Sequence, residues 1–168
     1  MQATRPLLKI RPVNPGDRAR VAEMYSRMSR ASRYQRFLHP KPSIGDEELE
    51  FFTDIDHASH EALAAIDPRD GSFVGVARYA RLSAGDGTAD LAFEVVDEWQ
   101  GRGIGTMLLR ELLARAAANG MTDFIALTLH DNAPARALLK RAGFRVVEAS
   151  HGVVELRRGA GAPLSLAA

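Results

Sequence analysis

The 168-residue sequence predicts a mixed α/β (α+β) fold with six to seven strands. Its first third begins with a strand pattern and continues with three short helical patterns. Its middle third holds three strand-like runs separated by turn sequences, and its last third alternates strands with helices that stop at glycine. The sequence therefore combines an antiparallel meander with strands linked by helices.

The N-terminal elements are one strand and three helices. Residues 7–11 are strand-like, and Pro15-Gly16-Asp17 begins a helix. Its apolar residues recur at helical spacing, at Val21, Met24, Tyr25 and Met28. Two more helices are predicted over residues 32–37 and 46–53.

The central strands are marked by their turns. Residues 62–67 and 73–82 flank Pro68-Arg69-Asp70-Gly71, and residues 88–96 follow Ala84-Gly85-Asp86-Gly87. Such turns between apolar runs are typical of hairpins, so these three strands are predicted to form an antiparallel meander.

The C-terminal elements are a helix over 104–119, a strand over 124–129, a helix over 133–142 and a hairpin of 145–148 with 153–157. Neither a linker nor a repeat divides the chain.

One domain is therefore expected over residues 1–158. Residues 159–168 are expected to be a disordered tail.

Composition argues against several classes of function. The 22 basic and 21 acidic residues are spread along the chain and leave a net charge of +1, so no nucleic-acid or membrane partner is expected. The chain has no cysteine, which removes disulfides, thiolate metal sites and a cysteine nucleophile. The sequence has no long apolar run and its N-terminus no secretion signal pattern, so a cytoplasmic location is expected.

The segment EVVDEWQGRGIGTMLLREL, residues 94–112, runs from a strand through three glycines into an amphipathic helix. Unpaired N–H groups and the positive end of the helix dipole make such a helix start a binding site for phosphate. The spacing of Gly101, Gly103 and Gly105 does not match G-x-G-x-x-G, and no nucleoside triphosphate loop follows. A tight glycine turn without a ligand is the alternative.

Residues 100–105, QGRGIG, are similar to the Q/R-x-x-G-x-G/A motif of the GCN5-related N-acetyltransferase (GNAT) superfamily. Downstream, NAPARALLKRAGF resembles the second half of that family, N-x-x-A-x-x-L followed by G-F. RPVNPGDRARV, SRYQRF, VARYARL and ADLAFEVVDEWQGRGIG more closely resemble the catalytic domain of Pat-type bacterial protein lysine acetyltransferases. The resemblance implies a GNAT fold, with helices on both faces of a mixed sheet and a splayed central strand pair.

The resemblance also implies acetyl-CoA as co-substrate and no metal. The loop would hold the pyrophosphate, the amide of Glu94 or Val95 would polarise the thioester, and Val95 and Val96 would pair with the pantetheine arm. The expected cofactor-binding residues are Glu94, Val95, Val96, Gln100, Gly101, Arg102, Gly103, Ile104, Gly105, Thr106 and Asn132.

A carboxylate base is expected, because a lysine with a pKa of about 10.4 is almost entirely protonated near neutral pH. The resembled enzymes place a glutamate where this chain has Asp90, which is one methylene shorter. Strand alternation sends Asp90 and Glu94 to the same face about 13 Å apart, so they are separate candidates for the base.

The tyrosine that many GNAT enzymes use as general acid is replaced by Leu139, and Tyr79 is a weak substitute. Two further patterns have plainer explanations. A polar loop, rather than a metal site, is expected for Asp54, Asp56, His57, His60 and Glu61. A solvated helix face or an acceptor-cleft wall, rather than an RNA surface, is expected for Arg27, Arg30, Arg33 and Arg36.

The resulting hypothesis is an acetyl-CoA-dependent N-acetyltransferase whose acceptor is a protein lysine, such as one on an acyl-CoA synthetase. Two alternatives stay open: a small-molecule amine acceptor, and a non-catalytic acyl-CoA-binding module, which Leu139 and the short Asp90 would favour. The sequence leaves the oligomeric state open.

Overall fold

The computed structural model describes residues 7–166. Its elements in chain order are β1 (Lys9–Pro12), α1 (Arg18–Arg27), α2 (Arg30–Phe37), α3 (Asp46–Thr53), β2 (His60–Ile66), β3 (Phe73–Arg81), β4 (Thr88–Val95), α4 (Ile104–Ala118), β5 (Asp123–Leu129), α5 (Ala133–Arg141), β6 (Arg145–Ser150) and β7 (Val153–Arg158). Single-turn 3-10 helices, Pro15–Asp17 and Asp97–Trp99, follow β1 and β4.

The seven strands form one sheet in the order β1-β2-β3-β4-β5-β7-β6. Every neighbouring pair is antiparallel except β4 and β5. This parallel pair is short, because only Thr88 to Asp90 lie opposite Asp123 to Ile125. Beyond Asp90 the two strands separate, which confirms the splayed central pair and opens a gap in the middle of the sheet.

Helices cover both faces of the sheet, as expected. On one face the hydroxyl of Tyr79 in β3 accepts a hydrogen bond from Asn119, directly after α4. On the other face Arg78, the preceding residue, lies over the ring of Phe52 in α3, 4.1 Å from its centroid. Successive residues of a strand point to opposite faces, so α4 and α3 are on opposite sides.

The apolar stripe of α4 fixes that helix against β2 and β3. Leu108, Leu109 and Leu112 are fully buried. Full burial of one such side chain contributes about 1.5–3 kcal/mol. The first turn of α4 is thereby held at the end of β4, where the gap opens.

Tyr25 joins the three N-terminal helices. Its ring packs against Phe37 of α2 and Phe52 of α3, with centroid distances of 5.7 Å and 5.6 Å. Aromatic pairs at this separation are favourable beyond the area they bury. The position of α2 over the gap therefore depends on α1 and α3.

The predicted element ends agree with the structure to within two residues, except at the first helix, which is predicted to start at Pro15 and begins at Arg18 after the 3-10 turn. Two other differences have local causes. The predicted start of α2 at residue 32 is two residues late, because the Ser29 side chain caps the helix by accepting a hydrogen bond from Ser32 N. The end of β6 is two residues beyond the prediction, because its pairing with β7 resumes after an irregularity between Val146 and Glu148.

The segment after β7 differs from the expected disorder as far as it is described. Leu166 is buried, and Ser165 donates its N–H to the carbonyl of Arg141 at 3.0 Å. Residues 159–166 thus pack on the end of α5, because an apolar side chain and a helix carbonyl are both available there. Residues 1–6 and 167–168 lie outside the described residues, and so do those ends of the expected domain and tail.

Asp17, which is buried, ties β1 to the start of α1. Its carboxylate accepts two hydrogen bonds of 2.7 Å from Arg11 and one of 3.0 Å from Asn14 N. Burial by itself would raise the pKa of Asp17, but these donors hold the pKa below its ordinary value. The stabilisation from this depressed pKa is present above the pKa of an unfolded aspartate and is lost as pH falls through the folded pKa.

Asp17→Asn is therefore expected to lower the free energy of unfolding at pH 7 by about 2–3 kcal/mol, since charged buried hydrogen bonds are lost. The difference from wild type should shrink below about pH 4. Urea unfolding between pH 7 and pH 3 measures both. Asp46→Asn is the control, because its ion pair with Arg18 is exposed and its loss should change little. A difference that persists unchanged at pH 3 would contradict the assignment.

Candidate active site

A cleft of about 640 Å³ occupies the gap between β4 and β5. Its walls come from α2, β4, the loop before α4, the first turn of α4, β5 and the start of α5. All predicted site residues except Val96 and Arg102 line it: Asp90, Glu94, Val95, Gln100, Gly101, Gly103, Ile104, Gly105, Thr106 and Asn132.

The first turn of α4 presents backbone N–H groups to this cleft. Gly103, the N-cap, has φ +79°, a left-handed conformation that glycine adopts without strain. No side chain caps the helix, and its first backbone bond runs from Met107 N to Gly103 O. The N–H groups of Ile104, Gly105 and Thr106 consequently have no acceptor within the helix. These groups and the helix dipole can hold an anion.

Gly105 brings α4 close to α5. A Cβ added at Gly105 would lie 3.0 Å from Cδ2 of Leu138. Asn132 lies beside this contact and caps α5, because its side chain accepts a hydrogen bond from Ala135 N at 3.3 Å. The expected cofactor role of Asn132 thus coincides with a structural one.

Hydrogen bonding within the sheet decides which backbone groups of β4 face the gap. Val96 donates its N–H to Val74 O on the β3 side, and its carbonyl accepts from Trp99 N, both at 2.9 Å. Because antiparallel bonding alternates, the amide of Glu94 also points to β3, whereas those of Phe93 and Val95 point to the gap. Of the three predicted backbone partners of the cofactor, Val95 therefore directs its amide to the gap, whereas the amides of Glu94 and Val96 face β3.

Two loop residues that were predicted to bind the cofactor, Arg102 and Gln100, make contacts with other residues of the chain. Arg102 lies over the ring of Trp99, with its guanidinium 4.9 Å from the centroid. The side-chain amide of Gln100 donates to Val95 O at 2.9 Å and to Ser32 Oγ at 3.3 Å. Gln100 thereby connects the glycine loop to α2.

Asp97 strengthens this connection. Its carboxylate accepts hydrogen bonds from Ser29 N, Ser29 Oγ and Ser32 Oγ at 2.9, 2.6 and 2.8 Å. We call the group Ser29, Ser32, Asp97 and Gln100 the α2 clamp. It fixes the N-terminus of α2 to the segment that leads into the glycine loop.

Asp90 is exposed in the wall of the cleft. No ion pair reaches its carboxylate from within residues 7–166. Removal of water by the surrounding walls raises the pKa of Asp90, while the charge of Arg36 opposes that rise. Asp90 is thus an accessible carboxylate that binds a proton more readily than an ordinary aspartate.

Glu94 has the opposite surroundings, with its side chain only 1% exposed. One oxygen accepts a hydrogen bond from the hydroxyl of Tyr25 and the other from Nε of Arg36, each at 2.5 Å. Burial, followed by the charge of Glu94, raises the pKa of Tyr25, so Tyr25 stays a proton donor. Both oxygens of Glu94 are thus hydrogen-bonded, so Glu94 acts as a buried structural anchor, and the accessible carboxylate of β4 is Asp90.

No pattern in the sequence indicates this anchor. Arg36 belonged to an arginine pattern for which a solvated face or a cleft wall was expected, and the structure places it in the wall. The spacing of Arg36 and Phe37 in α2 gave no sign that a carboxylate 58 residues later would bind the guanidinium.

The described wall of the cleft contains no tyrosine that could replace the missing general acid. Leu139 is buried, and the hydroxyl of Tyr79 donates to Ala58 O at 2.9 Å on the far side of the sheet, so Tyr79 does not reach the cleft. Among the described residues that line the cleft, none is a tyrosine, lysine or cysteine.

Residues 7–166 lack two further kinds of feature. No helix in this range is long and apolar enough to cross a membrane. The same residues bring no three His, Asp or Glu side chains into a group that could hold a metal ion.

The family model described as acetyltransferase (GNAT) domain matches residues 8–145. Acetyltransferase Pat of Mycolicibacterium smegmatis is 34% identical over 146 residues, which are 86% of this chain and 43% of that protein. The chain thus spans less than half the length of this relative.

Solved structures agree with the family match. The GNAT domain of S. lividans PAT superposes with a TM-score of 0.84 at 31% identity, covering 90% of each chain. A phosphinothricin acetyltransferase of Sinorhizobium meliloti, solved with acetyl-CoA, has the same fold, with a TM-score of 0.75, 23% identity and coverage of 92% and 89%. The cleft, its helix start and these matches lead to one conclusion: the chain belongs to the GNAT acetyltransferases, enzymes that take their acyl group from acetyl-CoA.

Proposed function

We propose that this chain transfers the acetyl group of acetyl-CoA to a lysine side chain of a protein, with Asp90 as general base. The observation that carries the proposal is the contrast between the two carboxylates of β4. Asp90 is exposed in the cleft, whereas Glu94 is buried and doubly bonded.

The cofactor would lie along the cleft with its pyrophosphate at the first turn of α4. The N–H groups of residues 103–106 would bind the phosphates, and the positive helix end favours their charge. The pantetheine arm would bond to the backbone groups of Phe93 and to the amide of Val95, which face the gap, as an added strand does. The amide of Val95 would then stabilise the negative charge that develops on the thioester oxygen.

Asp90 supplies the proton acceptor that a lysine needs. The lysine nitrogen attacks the thioester carbon, the new C–N bond forms and the C–S bond breaks. The ammonium group loses two protons in all: one passes through Asp90 to solvent, and the other passes to water, from which the CoA thiolate takes one proton. Because Asp90 is one side-chain carbon shorter than the glutamate of the resembled enzymes, we place one water between Asp90 and the amine.

The CoA thiolate would take its proton from water, since the cleft wall has no tyrosine near α5. Apolar side chains that line the cleft, among them Phe37, Leu38 and Leu91, suit the four-carbon stem of lysine. An acyl-CoA synthetase is a candidate acceptor through the resemblance to Pat-type enzymes.

The acceptor class can be tested first. Incubation of the chain and acetyl-CoA with a cell lysate is expected to produce new acetyllysine peptides, detected by antibody enrichment and mass spectrometry. The Asp90→Asn variant is the control for non-enzymatic acetylation. Release of CoA with small amines but no new acetyllysine would assign a small-molecule acceptor instead.

Asp90→Asn is expected to lower the rate of CoA release at pH 7 by about 100-fold or more, the usual contribution of one general base. The affinity for acetyl-CoA should change little, because Asp90 lies before the backbone groups that hold the thioester. Part of the rate should return at pH 9–10, where more acceptor is neutral. If Asp90→Asn stays within about threefold of wild type while a folded Glu94→Gln variant is inactive, Asp90 is not the base.

The helix start can be tested with two substitutions at one residue. Gly103→Ala and Gly103→Glu pay the same backbone strain at φ +79°, but only glutamate adds a charge at the proposed pyrophosphate site. Calorimetry is expected to show binding of acetyl-CoA at least about 100-fold weaker for the glutamate variant than for the alanine variant. Equal affinities in two folded variants would exclude the α4 N-terminus as the phosphate site.

A further inference from the structure

Arg36 is positioned to act on Asp90, although it is bonded to another residue. Its side chain is 15% exposed and lies in the wall of the cleft that also contains Asp90. Its guanidinium lies over the ring of Phe37, 4.9 Å from the centroid, and donates through Nε to Glu94 at 2.5 Å. A side chain held by both a ring and a carboxylate has one position rather than many.

Around Glu94, positively charged side chains outnumber negatively charged ones unless Asp90 is included. Arg78 approaches the same carboxylate from β3, with its Nη2 3.8 Å from Oε1 of Glu94. Two guanidinium groups therefore share one buried carboxylate, and Tyr25 stays neutral as a donor. Asp90 lies on the same face of β4 as Glu94, four residues earlier, and its ionised carboxylate has the sign that would offset the remaining positive charge.

Few other charges face Asp90. On β3, Ala80 is its direct neighbour and Arg78 its diagonal one. On β2, His60 lies one strand further along the same row, and burial followed by the charge of Arg78 lowers its pKa to about 4, so it is neutral at pH 7. β5 contributes Asp123, which lies diagonal to Asp90, and no titratable side chain over residues 124–129. In the cleft wall, α2 contributes Arg36 and the last residue of α5 is Arg141. Arg36 is thus the cation that opposes the desolvation of Asp90.

We propose that Arg36 is a positioning residue for acetyl transfer: held in place by Glu94, its guanidinium keeps Asp90 ionised when acetyl-CoA and the acceptor fill the cleft. This rests on the proposed role of Asp90 as base. Both substrates displace water from around Asp90, and loss of water favours its protonated form, which cannot accept a proton. A fixed positive charge nearby counteracts that effect.

The direct test is the titration of Asp90, followed by carbon-13 NMR of the side-chain carboxyl groups of aspartate-labelled protein. The Asp90→Asn spectrum assigns the resonance. Arg36→Gln is expected to move the midpoint of Asp90 to higher pH, whereas Arg36→Lys, which keeps the charge, should leave it near the wild-type midpoint. A purely structural role for Arg36 would not distinguish these two variants.

Kinetics provide the second readout. Arg36→Gln is expected to lower kcat about tenfold or more at pH 6, with a smaller loss at pH 8 and with the KM for acetyl-CoA within about twofold. Arg36→Lys should restore most of the rate. If Arg36→Gln leaves Glu94 unpaired and unfolds the chain, the double variant Arg36→Gln/Glu94→Gln removes both buried charges and keeps a hydrogen bond between the two side chains.

The outcomes separate the two proposals. An unmoved Asp90 midpoint in a folded Arg36→Gln variant, or a midpoint in the double variant equal to that of Glu94→Gln alone, overturns the role of Arg36, even where Asp90→Asn has lost its activity. An active Asp90→Asn variant overturns the role of Asp90 as base, and the role of Arg36 with it. A raised midpoint together with the pH-dependent loss of kcat supports the inference.

Discussion

The separation of β4 from β5 after Asp90 is the constraint on which the rest of the structure depends. A strand in the middle of a sheet normally has both edges paired, and unpaired backbone groups away from water are costly. Here the backbone of β4 beyond Asp90 is bonded to β3 on one side and has no strand on the other. The fold tolerates these unpaired groups because the cleft is open to solvent, which can bind them. The first turn of α4 completes the arrangement, since the end of β4 leads directly into it.

Two carboxylates on the same strand differ in their properties because the side chains around them differ. Asp90 and Glu94 have the same side-chain chemistry and lie on the same face of β4. Tyr25, Arg36 and Arg78 surround Glu94 and fix it as a buried anchor. Asp90 lies where the cleft begins and keeps an open position. Reactivity is thus distributed by the packing of α1 and α2 on the strand, rather than by the identity of the acids.

Much of the fold could be predicted because it follows from local patterns. Apolar spacing, turn residues and helix-ending glycines located all seven strands and five helices, and only the start of α1 differs by more than two residues. The glycine loop and its helix were recognisable as one segment of sequence, and the structure brings most of the predicted site residues to one cleft. The pairing of Glu94 with Tyr25 and Arg36 could not be predicted, because these residues are 69 and 58 positions apart and meet only after α1 and α2 have packed. The direction of each amide of β4 also depends on its pairing with β3, which no periodicity in β4 encodes.

The α2 clamp has a consequence for the engineering of this chain. Asp97 and Gln100 lie just before the glycine motif and would travel with it in any loop exchange between family members, yet their side chains hold Ser29 and Ser32 at the start of α2. The same helix carries Arg36 in the wall of the cleft. A cofactor loop grafted from a relative with other residues at these two positions would therefore release a helix some 65 residues away in sequence. The loop and the first half of α2 should therefore be exchanged together, so that both segments of a chimaera come from the same parent.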